Sequence, residues 1–179
     1  VDNTGENVYE YNLDRFRNHD PEKIGFTENR NFNTGLKGKG ITTDDNDNIY
    51  VSCENEIRVF SPEGKQTGVI KTDSKAGPLH FNKNRLYTGA GDHIVVIDLS
   101  SNEIDRQKVI SDRSVITSIT IIDSTIFVAD AGTKLVYAFS MAGDLLFDIG
   151  RKDTLSGQKG YIIPSPYFDI AKGRDNELW

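Results

Sequence analysis

The residues able to do chemistry are few and scattered along the chain. Asp92 and His93 are adjacent, and a carboxylate beside an imidazole is the pairing that holds a general base or a metal-ligating nitrogen. Neighbouring residues of a strand point to opposite faces, so the two cannot easily aim at one substrate atom, and a surface turn accounts for them better. His19 and His80 have no second ligand within zinc-motif spacing. Asp44, Asn46 and Asn48 alternate like the opening of a calcium loop, but Ile49 stands where that loop needs Gly, and the distal Glu is missing. A hairpin turn rich in Asp and Asn explains the run. No Gly-Lys-Ser/Thr phosphate loop and no Gly-x-Ser-x-Gly elbow occurs. No catalytic residue, metal ligand or cofactor is therefore expected in this segment.

Basic and aromatic residues gather in two stretches that carry little strand signal. One, 15–40, holds His19, Arg30, Phe32, Lys37 and Lys39; the other, 151–166, holds Arg151, Lys152, Lys159 and Tyr161. The ordinary account of such Lys and Arg is that they are simply solvated. The functional account is that long connections on a rigid scaffold carry binding. On that account Arg30, Phe32, Lys37, Lys39, Asp92, His93, Arg151, Lys152 and Tyr161 are the candidate ligand contacts.

The elements that must position these residues recur along the chain. Three segments carry the same apolar core: Ile49-Tyr50-Val51, Leu86-Tyr87-Thr88 and Ile126-Phe127-Val128, with a fourth beginning at Leu178-Trp179. Tyr50, Tyr87 and Phe127 stand 37 and 40 positions apart. Each core is preceded by a β-rich run (41–43, 78–81, 116–122 and 168–171) and followed by a short polar turn and another strand at 57–60, 94–97 or 136–139. Each of these ends in a turn opened by Ser61, Ser100 or Ser140, and a further strand follows at 66–71, 104–110 or 145–149. Asp2 to Tyr11 aligns without a gap on Asp130 to Phe139, so the chain opens part-way through a unit. No sustained helical stripe appears. Four strands repeating every ~40 residues describe the blade of an all-β propeller, and an immunoglobulin-like sandwich does not require such a repeat. The expected organisation is a single domain over 1–179, with blades at 41–71, 78–110 and 116–150 and partial blades at 1–20 and 167–179.

Composition agrees with many short strands joined by polar turns: 36% of the 179 residues are hydrophobic, and Gly occurs 16 times. The formal net charge of -6 gives no global attraction for nucleic acid or anionic lipid, so neither is expected as a partner. No run approaches the ~18 apolar residues of a membrane span. Cys53 is the only cysteine; it falls in register with Ile49 and Val51 and is expected to be buried among them. Asp130 should accept hydrogen bonds from the turn that follows it. Tyr50, Tyr87, Phe127 and Trp179 read as packing between blades. With no Met at Val1 and Trp179 inside a strand pattern, the chain reads as processed, cleaved or incompletely represented.

The stretch Asp44 to Val51, then Asn55 to Lys65, resembles the NHL repeat: a polar turn, Ile-Tyr-Val, a short turn, an Arg-bearing strand ending in Phe, and a Gly turn. Thr125 to Gly143 repeats the pattern with Asp130 at its acidic position, where Cys53 and Ala90 stand in the other two units. The resemblance implies a six-bladed ring of which about four blades' worth is present. Either further blades complete the ring, or the two partial blades pair to close a smaller one. The resemblance also implies a non-catalytic scaffold that recognises a protein, peptide or glycan through its loop face, in a bacterial extracytoplasmic setting. The alternative is a metal-dependent propeller enzyme of the gluconolactonase-like or amidating-lyase-like type.

Overall fold

A computed structural model describes residues 5–12, 27–107, 111–153, 155–157, 159–162, 165 and 167–179. Strands β1 (Asn7–Asn12) and β2 (Thr27–Asn33) pair as a two-stranded antiparallel sheet. Strands β3 (Gly38–Thr43), β4 (Ile49–Cys53), β5 (Glu56–Phe60) and β6 (Gln66–Lys71) form a four-stranded antiparallel sheet in chain order. The same arrangement recurs in β7 (Leu79–Asn82), β8 (Arg85–Ala90), β9 (His93–Asp98) and β10 (Ile104–Gln107), and again in β11 (Ile116–Ile122), β12 (Thr125–Asp130), β13 (Leu135–Ser140) and β14 (Leu145–Ile149). No helix occurs among the described residues. These are the four-stranded blades that the repeat predicts. The fourth expected inner strand, at 168–171, is not a full ladder. At its end Ala171 and Trp179 exchange reciprocal 2.9 Å backbone hydrogen bonds, and the single bridge, Lys172 to Leu178, follows directly.

The middle strands of a blade are covered on both sides by neighbouring blades, and their burial shows it. Every residue of β4 is buried, as are all but the first of β8. Apolar residues therefore occur in runs rather than in strict alternation. The outer strands β6, β10 and β14 are largely exposed.

Each interface between blades has its own core. Tyr50 and Ile57 of the first full blade meet Leu79, Leu86, Val95 and Ile97 of the second. Tyr87, Ile94 and Val96 of the second meet Ile119, Ile126, Val128 and Tyr137 of the third. Val8 of β1 packs with Ile49, Val51, Cys53 and Phe60, and Ala129 and Val136 pack with Ile170. Each fully buried Ile or Leu contributes roughly 2 kcal/mol, so these interfaces supply most of the cohesion. Cys53 lies fully buried with Ile49 and Val51, as its register predicts, and burial pushes its thiol pKa up. Tyr50 and Tyr87 are packed as expected. Trp179 is not: it is 75% exposed, with its indole N–H donating to Glu177 at 3.1 Å.

Side-chain hydroxyls stitch neighbouring blades near the axis. Ser52 Oγ donates to Gly77 O at 2.5 Å, and Thr42 Oγ1 accepts from Phe81 N at 3.2 Å. Thr117 Oγ1 donates to Phe168 O at 2.7 Å, while Ser118 Oγ donates to Ile170 O and accepts from Ile170 N. Gly40 lets the first junction close, because a Cβ there would lie 2.4 Å from Gly77 O.

One reading of the sequence needs correction. The stretch 15–40 is not one long connection, because β2 runs through it and pairs with β1, and only 34–37 cross to the next blade. Arg30 and Phe32 are therefore strand residues, and Lys39 lies in β3. His19 lies outside the described residues.

Candidate functional site

In a four-stranded antiparallel blade, the first and third strands start at the end where the second and fourth finish. The described parts of the crossings between blades (34–37, 72–78, 111–115, and within 150–167) therefore share one face with the turns at 54–55, 91–92 and 131–134. Hydrogen bonds lace this face together. Thr72 N donates to Asn55 O at 2.9 Å, Ala76 N to Glu54 O at 3.0 Å, Ile116 N to Gly91 O at 3.2 Å and Ala131 N to Val115 O at 2.9 Å.

Two devices hold the face rigid. Asp130, fully buried, accepts through Oδ1 from Val115 N (2.8 Å), Gly132 N (2.9 Å) and Thr133 N (3.4 Å). Its Oδ2 accepts from Ser114 Oγ (2.7 Å) and Thr133 Oγ1 (2.8 Å). Burial alone would raise its pKa; hydrogen bonds led by Ser114 and Val115 outweigh it and hold the carboxyl below its ordinary range. The second device is Glu56, paired with Arg58 at 2.7 Å and with Lys71. Hydrogen bonds from Lys71 and then Arg58 hold its pKa down. Arg58 in turn donates to Thr34 O, clamping the 34–37 crossing to the blade.

Several predicted contacts are drawn into this framework. Arg30 pairs with Glu10 at 2.6 Å. Phe32 lies against Phe60 with ring centroids 4.9 Å apart and packs under Gly64. Arg151 holds Asp148 through both carboxylate oxygens, at 2.7–3.1 Å. His93 Nδ1, at the start of β9, and Asp92 Oδ1, in the turn before it, are 2.5 Å apart, so the carboxylate and ring do engage. Lys37 and Lys152 are exposed on the crossings.

The 150–167 crossing is a loop pinched at its base. Tyr161 N donates to Gly150 O at 2.8 Å, and the Tyr161 ring lies where a Cβ on Gly150 would sit, 2.1 Å from Cδ2. Gly150 has φ +94°, which an L side chain rarely adopts. Asp153 Oδ1 accepts from Leu155 N at 2.9 Å and turns the tip. Lys134 Nζ reaches Ser165 O at 2.7 Å, tying the loop to the 131–134 turn. The loop presents Leu155 at 99% exposure, Ile162 at 87% and Tyr161 at 48%, with Tyr167 at 70% just beyond. Reading the sequence for cations and aromatics singled out Arg151, Lys152 and Tyr161 but passed over Leu155 and Ile162, aliphatics in a polar connection.

A second opening lies over the axis. A cleft of ≈ 260 Å³ is lined by Lys39, Gly40 and Ile41, by Pro78 and Leu79, by Thr117, Ser118 and Ile119, and by Asp169. All four inner segments contribute, which no local motif announces. Thr117 and Ser118 spend their hydroxyls on the stitches described above, leaving Lys39 and Asp169 as its charged lining. No group of three or more His, Cys, Asp and Glu placed to hold a metal ion occurs among the described residues.

No protein-family model and no curated protein matches the chain. Among solved structures it is similar to a catalytically inactive histidine variant of virginiamycin B lyase from Staphylococcus aureus with quinupristin. That likeness has 17% identity and a TM-score of 0.67, and covers 100% of this chain and 57% of that one. A streptogramin B lyase matches at 16% identity and TM-score 0.64, over 99% of this chain and 55% of that one. The WD40 repeats of RRP9 match at 13% identity and TM-score 0.54, over 63% and 38%. At such identities the likeness shows the fold alone, a β-propeller. The chain spans about half the length of the lyases it matches, 47% to 57%.

Proposed function

We propose that this protein is a non-catalytic β-propeller scaffold that recognises a protein, peptide or glycan on the face carrying its blade crossings. The observation that carries this reading is the 150–167 loop. Its base is fixed by Tyr161 on Gly150 and by Lys134 on Ser165, while Leu155 and Ile162 stand almost fully in water. Rigid presentation of apolar side chains beside cations is what a recognition surface needs, because little ordering remains to be done on binding. The NHL-like pattern supports the same reading: Phe60 at the end of its Arg-bearing strand is buried, and Tyr50 hydrogen-bonds Asp44 of the preceding polar turn at 3.1 Å. On this reading the parent ring is six-bladed, as in NHL-like proteins, and works outside the cytoplasm of a bacterium.

A second reading, a metal-dependent propeller enzyme, draws on the Asp92–His93 pair and on the lyases among the structural neighbours. Among the described residues that pair has no third ligand beside it to complete a metal site.

Replacing 152–159 by a Gly-Ser linker, with Gly150 and Tyr161 kept, separates recognition from structure. Random-peptide display and a glycan array should give enrichment on the native protein that is lost on the replacement, with an unchanged melting temperature. Equal enrichment on both proteins refutes the reading.

A further inference from the structure

Resting on the reading of this face as a recognition surface, we propose that its partner is an acidic peptide segment with an apolar anchor. It would lie along the strip from Arg113 across Lys134 to the 150–162 loop. The strip is one continuous surface: Val115 O accepts from Ala131 N, Lys134 reaches Ser165 O, and Tyr161 N closes on Gly150 O.

Its charge runs against that of the chain. The whole sequence carries a formal net charge of -6. Yet Arg113, Lys152 and Lys159 are exposed and form no ion pair among the described residues. Lys134 spends one donor on Ser165 O and has two more. Asp112, beside Arg113, is exposed and forms no ion pair among the described residues; the other acids nearby are engaged. Asp130 is buried, Asp148 is held by Arg151, and Asp153 caps its own loop. Local cations on an acidic protein attract an anion only within about a Debye length, ~8 Å at physiological salt. That favours a short segment whose few carboxylates meet the strip alone.

The same argument weighs against a polynucleotide, whose many phosphates would also meet the acidic remainder. Tyr161 offers one ring on which a base could stack, but Leu155 and Ile162, the most exposed apolar residues of the strip, cannot stack on bases and can cover a Leu or Phe side chain. A neutral glycan would make no use of the cations.

The test begins with random-peptide display against the intact chain. Enriched peptides should combine Asp or Glu with Leu, Ile, Phe or Trp. Enrichment without acidic residues, or no enrichment, overturns the proposal. The leading peptide, fluorescently labelled, is then titrated by anisotropy in parallel with oligouridylate. Lys152→Glu with Lys159→Glu should weaken the peptide about tenfold, a difference that added salt shrinks, and Ile162→Ser should weaken it by a similar factor. Circular dichroism should confirm that both variants stay folded. Binding of the acidic peptide that survives both variants overturns the proposal. So does tighter binding of oligouridylate, but if the variants weaken that as well, the face remains a recognition surface for another ligand. Binding of any ligand that also survives replacement of 152–159 removes the underlying reading of the face.

Discussion

Replacing Asp130 by Ala tests the claim that this carboxylate organises the crossing face without doing chemistry. The change strips acceptors from Val115 N and Gly132 N, each held at under 3 Å, and from the hydroxyls of Ser114 and Thr133. Hydrogen bonds to a charged group contribute about 1.5–3 kcal/mol each, but the two hydroxyls can turn towards each other or towards water. The two backbone donors cannot, so the expected loss is about 3–5 kcal/mol. Asp130→Asn should cost less, about 1–2 kcal/mol. Its carbonyl can take the Oδ1 position facing the backbone, and its amide can donate to the hydroxyl oxygens. Urea unfolding followed by circular dichroism measures both. The sign of the pH dependence follows from the lowered pKa: the unfolded chain binds this proton more readily. The stabilisation is therefore complete above the unfolded value, about 3.9, and is lost as pH falls through the folded one. Asp130→Asn should lack this part of the acid dependence. An Ala variant within about 1 kcal/mol of the parent, or an Asn variant as unstable as Ala, refutes the reasoning.

Three further outcomes are expected. Glu56→Gln, which leaves half-buried Arg58 without its carboxylate, should lower stability by about 2 kcal/mol in urea and free the 34–37 crossing to exchange its amide hydrogens faster. Tyr50, pushed up to about 12 by burial and by Asp44, should ionise late in an alkaline absorbance titration; stability should fall between about pH 10 and that value, because the unfolded phenol ionises first. Cys53 should resist a thiol reagent until the protein unfolds, and rapid native labelling would contradict its burial.

The blades were legible because each contains a β-rich core buried on both sides, so Ile49-Tyr50-Val51 and its two counterparts stand out against polar turns. Strand β2 was not legible. Its sequence, Thr-Glu-Asn-Arg-Asn-Phe-Asn, has one apolar residue and three Asn, a residue depleted in strands. What holds it is β1: Asn29 and Arg30 bond Glu10 at 2.6 Å, and Asn33 bonds Asn7. Such cross-strand pairs between residues some 20 positions apart leave no local pattern. The role of Phe32 was misread for the same reason, since its partner Phe60 lies in another blade. Lys39 was picked out by charge, but Asp169, which shares the axial cleft, comes from the far end of the chain, and only the closing of the blades brings the two to one opening. For Asp130 half of the site was legible, because the Gly132 and Thr133 donors follow it directly, whereas Ser114 and Val115 come from the crossing before β11.

The hydroxyl stitches near the axis bear on how the chain comes apart. Ser52, Thr42, Thr117 and Ser118 each reach across to the next unit along, and the apolar clusters straddle the same junctions. Free energy is then held in nearest-neighbour couplings, as in a one-dimensional array. Weakening one junction need not loosen the others. Gly40→Ala, whose added methyl would drive against Gly77 O, should split the unfolding transition. The β1–β6 portion would then exchange its amides as one cooperative unit ahead of β11–β14, whereas the parent protects both together.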